Sequence, residues 1–156
     1  MLIGVISDTH DDISAINKAV EFFNLRKADL VLHCGDFSSV YAAQEFLKLN
    51  CGFRAVFGNN DFDRAELSNI ININPAPFAF KVQDKSFLMS HKSVFPAKKF
   101  DFVLSGHTHI AKIENINGTI FLNPGEASGR RYGRMTVALI DLEKRTCEIF
   151  DLDLEV

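Results

Sequence analysis

Apolar positions in the first half of the chain fall into short β-branched runs that alternate with stretches of helical periodicity. Residues 2–7 form one such run, fit for a buried strand. Ile13, Ile16, Val20 and Phe23 then recur at helical spacing over 11–24, with Asp11 or Asp12 available as the N-cap. "DLVLHC" (29–34) reads as a second strand, 39–49 as a second helix and "FRAVFG" (53–58) as a third strand. Strand–helix–strand order predicts a parallel sheet with right-handed crossovers. After Pro75 the pattern changes. "FAFKV" and "SFLMS" flank "QDK" as a hairpin, and "FDFVLS" is a further strand. "KIENINGTIFLN" holds Asn117-Gly118 between extended runs, a type I′ turn signal. "MTVALIDL" and "TCEIFDLDL" close the chain as a strand pair around 143–145. An α/β beginning and an antiparallel end predict two sheets packed face to face with helices outside.

Composition narrows the class. With 156 residues, 47% of them hydrophobic, a single domain spanning 1–156 is expected. A domain of that size buries roughly 70% of its unfolded surface. The net charge of −3 and pI near 5.9 disfavour a nucleic-acid partner bound through a broad basic face. No apolar run approaches the roughly 18 residues of a membrane span, and "MLIGVISD" lacks the basic start of a signal peptide. Cys34, Cys51 and Cys147 are odd in number and without a CxxC pair, which points to reduced thiols and a cytoplasmic location.

Chemistry concentrates just past the apolar strands. Asp8 and His10 follow the first, Asp36 the second and Asn59 the third; His91 ends the hairpin, and His107 and His109 follow "FVLSG". Ligands of open α/β sheets bind outside the carboxyl ends of strands, so five strand ends are expected to deliver polar groups to one rim. Residues i and i+2 of an extended segment share a side, which predicts that Asp8 and His10 reach a common point. Glycine before Asp36, Asn59 and His107 allows sharp bends and close approach. Imidazole and carboxylate without thiolate suit first-row divalent ions such as Mn, Fe, Ni, Co or Zn. Six or seven such ligands are too many for one ion and about right for two.

"DTH", "GD", "GNND", a strand-end His and "GHTH" occur in the order seen in calcineurin-like metallophosphoesterases. The chain most resembles the small bacterial and archaeal phosphodiesterases of that superfamily, and the likeness extends to "LNPGEAS" near its end. The resemblance implies an α/β fold, a four-layer αββα sandwich of two mixed β-sheets flanked by helices. It implies Asp8, His10, Asp36 and His109 around one ion and Asp36, Asn59, His91 and His107 around another, with Asp36 bridging. Two ions about 3.5–4 Å apart share a hydroxide and clamp a phosphoryl group in line with it. Their charge outweighs that of Asp8, Asp36 and the hydroxide, so an acidic protein attracts phosphate only when metallated. Mn2+ or Ni2+ is the favoured pair, with Fe, Co or Zn as alternatives.

Departures from the family pattern carry information. Asn60, Asp61 and His107 are the expected catalytic positions, but many relatives have a His where Asn60 stands, paired with an acid at the place of Asp61. That His is associated with leaving-group protonation, and an amide cannot donate a proton in this way. Slow turnover favouring good leaving groups follows as the expectation. The segment between His91 and His107, "HKSVFPAKKF", is short and basic, predicting loss of a helix present in relatives. Glu126 stands where relatives more often carry Ser, without a role legible in the sequence.

Other polar residues have plainer readings. His33, inside an apolar strand, is expected in the core or behind a ligand rather than as one. Asn59-Asn60 alone would be an ordinary turn; after a strand and Gly58, Asn59 reads better as a ligand. Lys92, Lys98 and Lys99 read as a solvated loop. Arg130 and Arg131 are candidates to clamp an anion, although a Gly-rich turn also exposes arginines. The leading function is therefore a dinuclear metal-dependent phosphodiesterase acting on a small phosphate ester, with no membrane association and with self-association left open. A phosphomonoesterase is the near alternative. A protein-binding scaffold of the same fold, like the retromer subunit, is the alternative of another class, disfavoured because every ligand position is filled.

Overall fold

The computed structural model describes residues 1–155. The chain begins β1 (Leu2–Ile6), α1 (Ile13–Leu25), β2 (Leu30–His33), α2 (Val40–Gln44), β3 (Gly52–Val56), α3 (Arg64–Ile70) and β4 (Ile73–Asn74). It continues β5 (Phe78–Val82), β6 (Lys85–Met89), β7 (Phe102–Leu104), β8 (Lys112–Ile116) and β9 (Thr119–Asn123). It closes with β10 (Thr136–Asp141), β11 (Thr146–Asp151) and a short α4 (Leu152–Glu155).

Two mixed sheets result, ordered β11-β10-β1-β2-β3-β4 and β5-β6-β7-β9-β8. In the first, β1 to β4 run parallel, β10 pairs antiparallel with β1 and β11 antiparallel with β10. In the second, β6, β7 and β9 run parallel between antiparallel neighbours. The sheets face each other across a core of Ile3, Val5, Leu32, Val56, Phe87, Met89, Phe102, Leu104 and Leu122. The outer face of the six-stranded sheet packs Val31, Ala55, Val137 and Leu139 against Ile16, Val20, Phe23, Phe46 and Leu67 of the helical layer. Outside the five-stranded sheet, Leu88 and Val103 are covered by Phe100 and Val94 of the 91–101 segment, which forms no helix.

Local chemistry accounts for the helices. The α1 stripe of Ile16, Ala19, Val20 and Phe23 is buried, and Asp12 caps it by accepting from the Ala15 amide at 3.0 Å. Asp11 instead accepts from the amide and hydroxyl of Ser39, joining the α1 entry to that of α2. The helix expected over 39–49 holds its α form only through Gln44, and Glu45–Lys48 tightens to a 3₁₀ turn, a common way to end a helix. α3 and β4 escaped the sequence pattern. Only Leu67 of α3 is buried, so no periodic stripe marks it, and the two residues of β4 are defined by pairing with β3. The Asn117-Gly118 hairpin forms as expected, whereas the loop before β6 is only Gln83–Asp84, with Lys85 already paired to Val82. Among the described residues no helix is long and apolar enough to cross a membrane.

Candidate functional site

The parallel strands of both sheets end at the same rim. Loops after β1, β2 and β3 carry Asp8, His10, Asp36 and Asn59; those after β6, β7 and β9 carry His91, His107, His109 and Glu126. The two sets are stitched across the sandwich. The His107 amide donates to Asp8 Oδ2 at 3.0 Å, the Ala127 amide to the Ser7 carbonyl at 3.0 Å, and His91 Nδ1 to the Cys34 carbonyl at 2.9 Å.

Asp8 and His10 converge by a different route from the one their spacing predicts. The segment after β1 is not extended: Asp8 and His10 have φ of 56° and 43°, and Asp36, His107 and His109 have φ of 65°, 65° and 63°. Such left-handed backbone is uncommon outside glycine, with Asp and His among its more tolerant occupants. It is held by neighbouring loops, since the Asp8, Thr9, His10 and Asp11 amides all donate to carbonyls of Gly35, Asp36 or Phe37. Strained backbone concentrated at one rim is characteristic of functional sites. Gly58 and Gly106 make the approach feasible. A Cβ on Gly58 would lie 2.0 Å from Asp36 Oδ1, and one on Gly106 would lie 1.9 Å from Ser7 Oγ.

The converging atoms are nearly all acceptors. Asp8 Oδ2 is bonded by Ser7 Oγ and the His107 amide, but its Oδ1 is buried with no hydrogen-bond partner. His10 Nε2 and His109 Nε2 lie 3.7 and 3.3 Å from that oxygen and 3.4 Å from each other. The His109 ring is oriented from behind: its Nδ1 donates to Glu126 at 2.8 Å. On the other side, a carbonyl can only accept, so His91 Nδ1 carries a proton and the ring turns Nε2 inward. That nitrogen lies 3.0 Å from Asn59 Oδ1, 3.1 Å from His107 Nδ1 and 3.4 Å from Asp36 Oδ2. Asp36 Oδ2 also lies 3.7 Å from His10 Nε2, placing it between the two groups. Two sets of ligand atoms are close enough to hold a cation each: Asp8, His10 and His109, and Asp8, Asp36 and His91. A buried carboxylate oxygen without a donor is costly unless a cation or proton meets it, so the donor set fits divalent metal.

Electrostatics agree with this. Burial opposes ionisation of Asp8, yet His10 and Ser7 outweigh it and hold the carboxyl below its ordinary value. Asp36 lies well below the usual carboxylate range, because His91 and the two N–H groups of Asn60 prevail over burial. The Asp8 carboxylate raises His10 despite burial. For His91 burial pulls down, but Asp36 prevails and the ring is raised. The cluster attracts positive charge.

Remaining sequence-predicted residues take varied positions. Asn60 donates its backbone amide to Asp36 Oδ1 at 2.8 Å and its side-chain amide to Oδ2 at 2.7 Å. Asp61 lies beneath the site, 2% exposed, accepting from the amides of Asp36, Phe37, Ser38 and Gly58 at 2.7–3.0 Å. Arg130 lines a cleft of about 580 Å³ with His10, Asp11, Ser38, Asn60 and Phe62. Arg131 is not among those lining residues; its guanidinium lies 5.7 Å from the Tyr132 ring. His33 is fully buried, stacked on Phe37 at 3.7 Å, accepting from the Gly35 amide and bonded to Thr9 Oγ1. Burial drives its pKa down to about 3, which makes it a neutral core residue. Glu126 is the functional residue that the sequence left unexplained. It is 1% exposed and accepts from His109, Ser128 and the Arg131 and Tyr132 amides. The one available signal was an acid in the Gly-rich turn that follows the last strand of the second sheet.

Similarity to known proteins points the same way. A family model described as the calcineurin-like phosphoesterase superfamily domain matches residues 1–145. Phosphodiesterase MJ0936 of Methanocaldococcus jannaschii is 35% identical, over 93% of this chain and 95% of that protein. A probable metallophosphoesterase of Methanothermobacter thermautotrophicus is 32% identical, over 96% and 91%. The solved structure of an archaeal phosphodiesterase superposes with a TM-score of 0.90 at 33% identity, covering 97% of this chain and 99% of that one. Vps29 from Entamoeba histolytica, at 19% identity and a TM-score of 0.69 over 97% and 99%, shares the fold alone.

Proposed function

Since the chain belongs to the calcineurin-like phosphoesterase superfamily, we propose that it is a metal-dependent phosphodiesterase built on two divalent ions. The observation that carries this reading is Asp8 Oδ1, a buried carboxylate oxygen without a hydrogen-bond partner, facing the Nε2 atoms of His10 and His109. In this reading Asp8, His10, Asp36 and His109 hold one ion and Asp36, Asn59, His91 and His107 the other, with Asp36 shared. The mixed imidazole and carboxylate set favours Mn2+ or Ni2+ over Mg2+. When bound, the ions activate water and clamp the phosphoryl group.

The chain's own residues do the rest. Asn60, donating its backbone amide and one side-chain N–H to Asp36, fixes the shared carboxylate, and as an amide it offers no acidic proton to the departing oxygen. Arg130 is more than half exposed beside the cleft, and its one ion pair among the described residues is a 3.7 Å approach to Asp12, so its guanidinium can turn toward a phosphate oxygen. His107, exposed at the rim, lies where substrate enters. We read residues 1–156 as one catalytic domain working in the cytoplasm, consistent with three free thiols.

A metal-by-substrate matrix tests the reading. Metal-stripped protein is expected to be inactive toward bis(p-nitrophenyl) phosphate and to recover with Mn2+ or Ni2+, with diesters cleaved faster than p-nitrophenyl phosphate. Asp36→Asn should remove at least 100-fold of the activity, a factor worth about 2.7 kcal/mol of transition-state stabilisation. Full activity after exhaustive chelation, or in Asp36→Asn, would rule the mechanism out.

A further inference from the structure

We propose that Glu126 is a positioning residue that selects the His109 tautomer with Nε2 bare, and so sets the cation affinity of the Asp8–His10–His109 pocket. The inference rests on the two-ion reading above and adds a residue outside the ligand set. Glu126 is 1% exposed, a depth at which a carboxylate persists only when fully bonded. Its Oε1 accepts from the Tyr132 amide at 2.6 Å and the Arg131 amide at 2.9 Å. Its Oε2 accepts from His109 Nδ1 at 2.8 Å, with Arg131 N at 3.1 Å and Ser128 Oγ at 3.4 Å. An ionised carboxylate offers no proton, so His109 Nδ1 carries one, and Nε2, 3.3 Å from Asp8 Oδ1 and 3.4 Å from His10 Nε2, is the nitrogen left to face a cation. The pair also makes the imidazole a stronger ligand, as an anion behind a ligating His does. His91, by contrast, is held by the neutral carbonyl of Cys34.

Glu126→Gln separates this role from packing, because the two side chains have the same shape. The backbone amides of Arg131 and Tyr132 demand the Gln oxygen at the Oε1 position. The NH₂ group then occupies the Oε2 position and points at His109 Nδ1, which must give up its proton to become an acceptor. The proton moves to Nε2, and that nitrogen no longer binds a cation.

The test uses metal-free full-length protein. Long-range ¹H–¹⁵N spectra of the histidine rings at about pH 8, where free imidazole is neutral, should show Nδ1 protonated in wild type and Nε2 protonated in Glu126→Gln. Calorimetric titration with Mn2+ should show one of two sites weakened by about 10–100-fold in the variant, with the other within about twofold. An unchanged tautomer together with unchanged affinity overturns the proposal. If the variant does not fold, the wild-type spectrum decides alone: a bare Nδ1 on His109 overturns it and a protonated Nδ1 supports it. Wild type that takes up no Mn2+ overturns the two-ion reading and the affinity claim with it, while the tautomer assignment is judged by the spectra.

Discussion

Replacing Asp61 by Asn should cost this protein more in stability than in chemistry. The carboxylate accepts four backbone amides, Phe37 and Ser38 at Oδ1 and Asp36 and Gly58 at Oδ2, and so ties the loop after β2 to the loop after β3. Asn keeps the shape but has one acceptor oxygen, so two of those amides would face an NH₂ group. Hydrogen bonds to a charged group contribute about 1.5–3 kcal/mol each, and stranding a buried donor costs a similar amount. The loss is therefore about 3–5 kcal/mol, against a total of about 5–15 kcal/mol for a folded domain. For a chain of this length each kcal/mol moves the midpoint by about 2–4 °C, so the melting temperature should fall by about 6–20 °C. Thermal and urea unfolding of metal-free protein would measure it, with the pH–rate profile of the Mn2+ form as the companion assay. If Asp61 instead acted in proton transfer, the profile would change and stability would not. A variant melting within about 2 °C of wild type would refute the scaffold role.

Further outcomes follow from other parts of the site. His33 has a folded pKa of about 3 against an ordinary 6.5, so as pH falls below 6.5 the unfolded chain takes up a proton that the folded chain refuses. Stability is thus lost with falling pH from 6.5 toward 3, by about 2 kcal/mol between pH 7 and 5. Urea unfolding should show that wild type loses this amount relative to His33→Phe, and parallel pH curves would contradict it. Comparison with the variant is required because His10 and His91, both raised, contribute in the opposite sense. Gly106→Ala places a Cβ 1.9 Å from Ser7 Oγ and 2.8 Å from Asp8 Oδ2, so calorimetry should show Mn2+ affinity falling by at least 10-fold and stability by about 1–3 kcal/mol. Unaltered Mn2+ binding in that variant would show that the loops yield. With Asn60 in place of a proton donor, bis(p-nitrophenyl) phosphate should be cleaved at least 100-fold faster than a dialkyl diester, general acid catalysis being worth about 10²–10⁴-fold. Comparable rates on the two esters would mean that another group protonates the leaving oxygen.

Much of this molecule is written locally. Alternation of β-branched runs with helical periodicity located β1 to β3 and α1, and Asn117-Gly118 located its hairpin, because burial on a strand or helix leaves a period in the chain. The site's inventory was legible for a related reason: Asp8, His10, Asp36, Asn59, His91, His107 and His109 each follow a strand, and strand ends of parallel sheets meet at one rim. What had no local signature was missed. α3 buries only Leu67, and β4 exists through its partner β3. That Asp61 brackets two loops was likewise illegible, because four amides reach it only once those loops are adjacent. Glu126 acquires meaning only where β9 ends opposite His109. The sequence by itself thus determined the elements and the ligand types, properties that reside in single residues and their spacing. Tertiary structure alone decided the left-handed turns that aim those ligands, the oxygen of Asp8 left without a donor and the tautomer of His109, since each depends on hydrogen bonds between segments far apart in the chain.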